Sequence, residues 1–72
     1  MDNKEIILRK NIADKLRILR AKNRISQEVL AEKSSLTQAY IYKMENELVN
    51  PSIYVMYRIA EALNVSVNDL IY

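Results

Sequence analysis

Ser26-Gln27-Glu28-Val29-Leu30-Ala31-Glu32-Lys33-Ser34-Ser35-Leu36-Thr37-Gln38-Ala39-Tyr40-Ile41-Tyr42-Lys43-Met44-Glu45-Asn46 is the stretch that decides the fold of this 72-residue chain. Ser26 offers a side-chain oxygen to the start of a helix, and Gln27 to Lys33 supply about two turns, with Glu28 near the positive end of the dipole. Ser34-Ser35-Leu36-Thr37 interrupts that helix, and Thr37 caps a second one running from Gln38 to Glu45 or Asn46. Two short helices therefore meet at a tight polar corner. Ala31 sits where they cross and allows close approach, while Leu30, Leu36, Ile41 and Met44 can point back into a shared core.

Upstream, Leu8, Ile12, Leu16 and Leu19 recur at spacings of four, four and three with Ala13 beside them, which predicts a helix with one buried stripe. It begins between Asn3 and Asn11 and ends at Asn23, an asparagine being the usual substitute for glycine at a left-handed C-cap. Ile6 and Ile7 either extend this helix backward or form a separate arm. Downstream, Pro51-Ser52 restarts the chain, and Ile53, Met56, Tyr57, Ala60 and Leu63 predict a fourth amphipathic helix that stops at Asn64. Ser66 with Asp69 three residues on resembles a capping box for a short last helix, Val67 to Ile71. The expected architecture is all-α: a compact five-helix domain spanning residues 1–72.

Composition narrows the function. Half of the residues are hydrophobic and 28% are charged, enough to bury a core and stay in solution. There is no Cys and no His, so neither disulfides nor thiolate chemistry are available and a zinc site would have only carboxylates. There is no Gly, which disfavours hairpin-rich β folds and phosphate-cradling glycine loops. No apolar run approaches the roughly 18 residues a membrane helix needs, and the start Met-Asp-Asn-Lys-Glu is unlike a signal peptide, so a cytoplasmic protein is expected. Glu28 and Glu32, four apart, imitate a catalytic carboxylate pair, but both should be solvated and so small a helical chain has little interior in which to raise a carboxyl pKa. An enzyme is not expected, nor a cofactor, nor a metal.

The net charge of +2 hides an asymmetry. Residues 1–24 carry eight cations against three anions, and the remainder three against six. A surface for a polyanion must therefore be local. The face of the Gln38 to Glu45 helix that the core leaves free shows Gln38, Ala39, Tyr42, Lys43 and Asn46: two amides, a cation, a phenol and a methyl, which are groups suited to base edges and phosphates.

Four fragments now stand in order: 26–33, 36–46, Asn-Pro-Ser at 50–52 and Ala-Leu-Asn-Val-Ser-Val-Asn-Asp-Leu at 62–70. Together they resemble the phage repressor and Cro-type (lambda-repressor-like) helix-turn-helix family over about residues 11–71. The resemblance implies a DNA-binding regulator of transcription, usually a homodimer, whose third helix enters the major groove of double-stranded DNA at a palindromic operator. The chain is also similar to small stand-alone regulators such as the controller proteins of restriction-modification systems, since Tyr40-Ile41 follows the start of the third helix. It departs from the family where glycines are common, carrying Ser35 in the corner and Glu47 after the third helix, and Ser34 stands at a commonly apolar position.

On this reading Gln38 pairs with an adenine edge, and Ala39 either meets a thymine methyl or merely favours the helix. Thr37 caps the helix and can also reach phosphate, Tyr42 meets a base or a phosphate, and Lys43 a phosphate. Tyr40 packs its ring inward with its hydroxyl toward the DNA backbone. Asn46 divides between DNA contact and C-cap. Gln27, at the N-terminus of the second helix, is placed to receive a phosphate. Arg17 and Lys22 flank the phosphate surface or are simply solvated. The resemblance pairs Arg20 with Glu45 as a structural ion pair. Asn64, Val65, Leu70, Ile71 and Tyr72 either form the two-fold contact or close the monomer's core. The competing reading is a protein-interaction module, an antitoxin-like partner for which DNA is secondary.

Overall fold

The computed structural model describes residues 2–72. Among them lie five helices and no strand: α1 (Asn3–Lys22), α2 (Gln27–Ser34), α3 (Gln38–Glu45), α4 (Ile53–Leu63) and α5 (Asn68–Ile71). At 1.5 Å per residue, α1 alone is about 30 Å long, which sets the long dimension of a molecule measuring 32 × 22 × 21 Å. Helices α2 and α3 pack on each other, α2 also on α4 and α3 also on α1, and α5 closes the far end against α1 and α4.

Each of the first four helices opens on an oxygen-bearing side chain. Asp2, Ser26, Thr37 and Ser52 accept the N–H of Glu5, Val29, Tyr40 and Val55 at 2.8–3.1 Å, and each such cap contributes about 1 kcal/mol. Asp2 settles the fate of Ile6 and Ile7: α1 is continuous from Asn3, and there is no separate arm. The four helices also end alike. Arg24, Ser35, Glu47 and Asn64 adopt φ of 55–62°, and the residue after each donates its N–H five residues back, from Ile25 to Arg20, Leu36 to Ala31, Leu48 to Lys43 and Val65 to Ala60. This is the Schellman closure, which favours an apolar residue at the following position.

The expected left-handed residue Asn23 is therefore displaced by one. Asn23 has right-handed backbone and turns its side-chain amide onto the carbonyl of Leu19 at 2.7 Å, so Arg24 makes the reversal, and Ile25 packs on the core behind it. Ser35 and Glu47 do take the positive φ that glycine would otherwise supply, at a cost of about 1 kcal/mol each.

The core gathers Ile12, Leu16, Leu30, Ala31, Ile41, Met44, Met56, Ile59, Ala60, Leu63 and Leu70. Two expected stripes shift. Leu8 is exposed, so the buried part of α1 starts at Ile12. In α4, Ile53 is 71% exposed and Tyr57 55%, and Ile59 takes the buried place. Helix α4 carries apolar residues on several faces, so periodicity leaves its rotation open and packing against α2 and α5 decides it. Ser34 is buried, and its hydroxyl donates to the carbonyl of Leu30 at 2.7 Å, so the α2–α3 seam holds no unpaired polar group there. Asp69 accepts both the N–H and the hydroxyl of Ser66, at 2.9 and 3.1 Å, which is one half of a capping box; the other half is absent, because the Asp69 N–H goes to the Ser66 carbonyl instead of its hydroxyl, and α5 begins one residue later than expected, at Asn68.

Candidate nucleic-acid interface

Helix α3 is braced from behind by Ile41, Met44 and Glu45, all buried. Ile41 and Met44 anchor it by apolar contact, so the opposite side is committed to solvent. Gln38, Ala39, Tyr42, Lys43 and Asn46 are exposed along it, and Tyr40 is half-buried against the core. The structure thus brings the amide, methyl, phenol and ammonium groups onto one convex ridge. Thr37 stands exposed at its start; its oxygen accepts the Tyr40 N–H at 3.1 Å, which leaves the hydroxyl proton to donate elsewhere. Asn46 spends one amide hydrogen on the carbonyl of Tyr42 at 2.8 Å and keeps its carbonyl oxygen.

Beneath the ridge, Glu45 is 2% exposed, and such a carboxylate needs full compensation. Arg20 Nε donates to Glu45 Oε2 at 2.7 Å and Nη2 to Oε1 at 3.1 Å, a bidentate pair, while Nη1 reaches the carbonyl of Ile25 at 3.1 Å. The hydrogen bonds that Arg20 donates to the Glu45 carboxylate raise the arginine's pKa above the ordinary value. Gln27 Nε2 completes the set, donating to Glu45 Oε1 at 3.1 Å. Three helices meet on one carboxylate: Arg20 from α1, Gln27 from α2 and Glu45 at the end of α3. The side chain of Gln27 is thereby engaged inward, and what α2 turns toward solvent is its N-terminal backbone.

Arg17, whose side chain stays exposed, also bridges two elements. Its guanidinium donates to the carbonyl of Glu45 at the end of α3 and to the carboxylate of Asp14. Lys10 Nζ lies 2.7 Å from the other oxygen of Asp14, and that hydrogen bond, with Arg17 alongside, holds Asp14 below the usual carboxylate range. A cation is thus placed at the negative end of the third helix. Lys22 is exposed in the last turn of α1.

The residues expected at a two-fold contact divide. Leu70 is 1% exposed and belongs to the core of the single chain, so it is not surface at all. Val65 and Ile71 are half-buried against that core, while Asn64 and Tyr72 are exposed. The large exposed apolar side chains nearby lie instead on α4, at Ile53, Tyr54 and Tyr57. An open groove of about 450 Å³ beside Tyr57 is lined by Glu61, Asn64, Val65 and Val67.

Sequence reading missed Arg58 altogether and, for Arg17, named the residue but not its bond to the end of α3. Arg58 on α4 donates to the carbonyl of Ser35 at 3.1 Å, and Arg17 does the same for Glu45. Neither carries a local pattern, because the partner is another helix's backbone.

A five-helix body presenting the polar side of its third helix, with the second laid across it, defines a helix-turn-helix DNA-binding domain. A family model described as helix-turn-helix matches residues 16–70, and the chain belongs to that family. It is 39% identical over 71 residues to the control protein C.SmaI of Serratia marcescens, covering 99% of this chain and 79% of that protein. It is 27% identical over 60 residues to the immunity repressor protein of Bacillus phage phi105, covering 83% of this chain and 42% of the repressor, so it spans less than half of that relative. Among solved structures, the restriction-modification controller protein C.AhdI from Aeromonas hydrophila superposes with a TM-score of 0.83 at 31% identity, over 86% of this chain and 94% of the other. The chain is a DNA-binding regulator of the helix-turn-helix class, not an enzyme. Among the described residues no helix is long and apolar enough to cross a membrane, and no cluster of acidic side chains could hold a metal.

Proposed function

We propose that residues 1–72 act as one domain and bind double-stranded DNA in the cytoplasm as a homodimer, with α3 of each copy in the major groove of a palindromic operator. One observation carries the reading: the exposed ridge of Gln38, Ala39, Tyr42 and Lys43, held rigidly by the buried Glu45 behind it. Gln38, in the first turn, is the residue for direct readout of an adenine edge, with Ala39 beside it for a thymine methyl and Tyr42 for a base or phosphate. Thr37, Tyr40, Lys43, Asn46 and the N-terminal backbone of α2 at Gln27 serve the phosphates, and Lys22 extends that surface. Arg17 contributes through the end of α3. The exposed apolar side chains of α4, with Asn64 and Tyr72, support a two-fold contact that sets the third helices about 34 Å apart, one turn of duplex. Regulation on this reading comes from occupying or flanking a promoter.

Selection of bound sites from random duplexes tests the reading, since it reports half-site sequence, spacing and symmetry together. Gln38→Ala should relax preference at one base position per half-site, by roughly 1–3 kcal/mol of discrimination, without unfolding the chain. An unchanged profile removes Gln38 from the readout. The affinity of the wild-type protein should fall linearly with salt on logarithmic axes, with a slope of about −0.9 per neutralised phosphate. A flat response would favour the protein-interaction module.

A further inference from the structure

We propose that Arg58 is a positioning residue for DNA binding: anchored on Tyr54, its guanidinium holds the carbonyl of Ser35 and so fixes the direction in which α3 leaves the corner. The inference rests on the functional reading above and adds to it a residue on α4, outside both helices of the motif.

Only Ser35, Leu36 and Thr37 separate α2 from α3, so the ψ of Ser35 largely sets where α3 points. Ser35 sits at φ 57° and ψ 39°. A serine has an extended alternative of lower intrinsic energy, so the left-handed state must be held by its surroundings. On the α2 side it is held by backbone bonds, Ser35 N–H to Glu32 at 3.2 Å and Leu36 N–H to Ala31 at 2.8 Å. Rotating ψ swings the Ser35 carbonyl, and it is this oxygen that Arg58 Nη2 grips at 3.1 Å. The grip is aimed in advance. Arg58 Cζ lies 5.5 Å from the centre of the Tyr54 ring, one helical turn earlier on the same helix, which limits the rotamers a free arginine would sample. Helix α4 is itself seated in the core through Met56, Ile59 and Ala60. The corner is thus tied to a helix seated in the core by a charged donor that cannot lose its proton.

The experiment compares wild type, Arg58→Ala, and Arg58→Ala combined with Ser35→Gly, each titrated at several salt concentrations against one duplex recovered by selection. Amide exchange of Leu36 and Leu16 is read in parallel. Arg58→Ala should weaken binding on the order of fivefold with an unchanged salt slope. Leu36 exchange should quicken while Leu16, in the core of α1, keeps its protection. Ser35→Gly should then recover at least half of the lost affinity, because glycine occupies the left-handed state freely. A slope smaller by about 0.9 would make Arg58 a phosphate contact and overturn the proposal. Unchanged affinity and unchanged Leu36 exchange would overturn it too, as would failure of Ser35→Gly to rescue. If wild type itself binds no duplex, the functional reading fails first, and this proposal with it.

Discussion

Glu45 shows how one side chain in this fold can matter more than its neighbours on the ridge. It is almost wholly buried, whereas the Arg20 side chain keeps 24% of its surface in water. The two halves of the pair are therefore unequal to lose. Arg20→Ala strands a carboxylate with Gln27 as its remaining side-chain donor and should cost roughly 3–5 kcal/mol, comparable to the whole stability of a domain this size. Glu45→Ala leaves a guanidinium that can turn to solvent, and should cost about 1–3 kcal/mol. Urea unfolding of the two variants checks the order; an equal or reversed loss would mean that Glu45 is compensated from elsewhere. Both substitutions should lower DNA affinity through the fold rather than by removing one contact.

Helix ends are where this chain is unusual, since α1 to α4 all reverse through a left-handed residue and none of these is glycine. Arg24→Gly and Glu47→Gly should each raise stability by about 0.5–1 kcal/mol, and Asn64→Gly by less, because asparagine tolerates that backbone better. Thermal melts of the three variants test the ranking. Helix α1 adds a pH effect through Asp14. Its carboxyl is held low in the folded chain, so the unfolded chain takes up the proton first and stability falls as pH drops below the ordinary aspartate range. Unfolding midpoints of wild type and Asp14→Asn should differ at neutral pH and converge in acid. The starts of α2 and α3 were legible because a cap needs one oxygen at one position, as at Ser26 and Thr37, whereas the sequence leaves the start of α1 at Asp2 open and marks Ser52 only as a restart after Pro51. Helix ends were legible less finely. Asn23 looked like the reversal by residue type, yet the useful sign was the apolar Ile25 two places on, a pattern repeated at Leu36 and Val65. The free face of α3 could be read because Ile41 and Met44 leave one rotation; α4, apolar on several sides, permits two. Contacts such as Arg58 to Ser35 join helices 23 residues apart and leave no trace in local spacing.

At the scale of the molecule, the expectation concerns association. Ile53 and Tyr57 turned out to face solvent while Leu70 turned inward, which adds α4 to the exposed apolar surface left at Tyr72 and takes Leu70 out of it. Ile53→Asp and Tyr57→Asp should shift sedimentation toward monomer at concentrations where wild type is dimeric, and leave the thermal melt of the single chain nearly unchanged. Retained dimers in both would place the two-fold contact elsewhere. The knot of Arg20, Gln27 and Glu45 has a last consequence. Because no one of the first three helices can swing away without abandoning a charge or an amide, the proposed reading surface should already be rigid before any duplex arrives. Little ordering entropy should then be left to lose on docking, and discrimination between sites should rest on the fit of a stiff probe rather than on the chain moulding itself to each sequence.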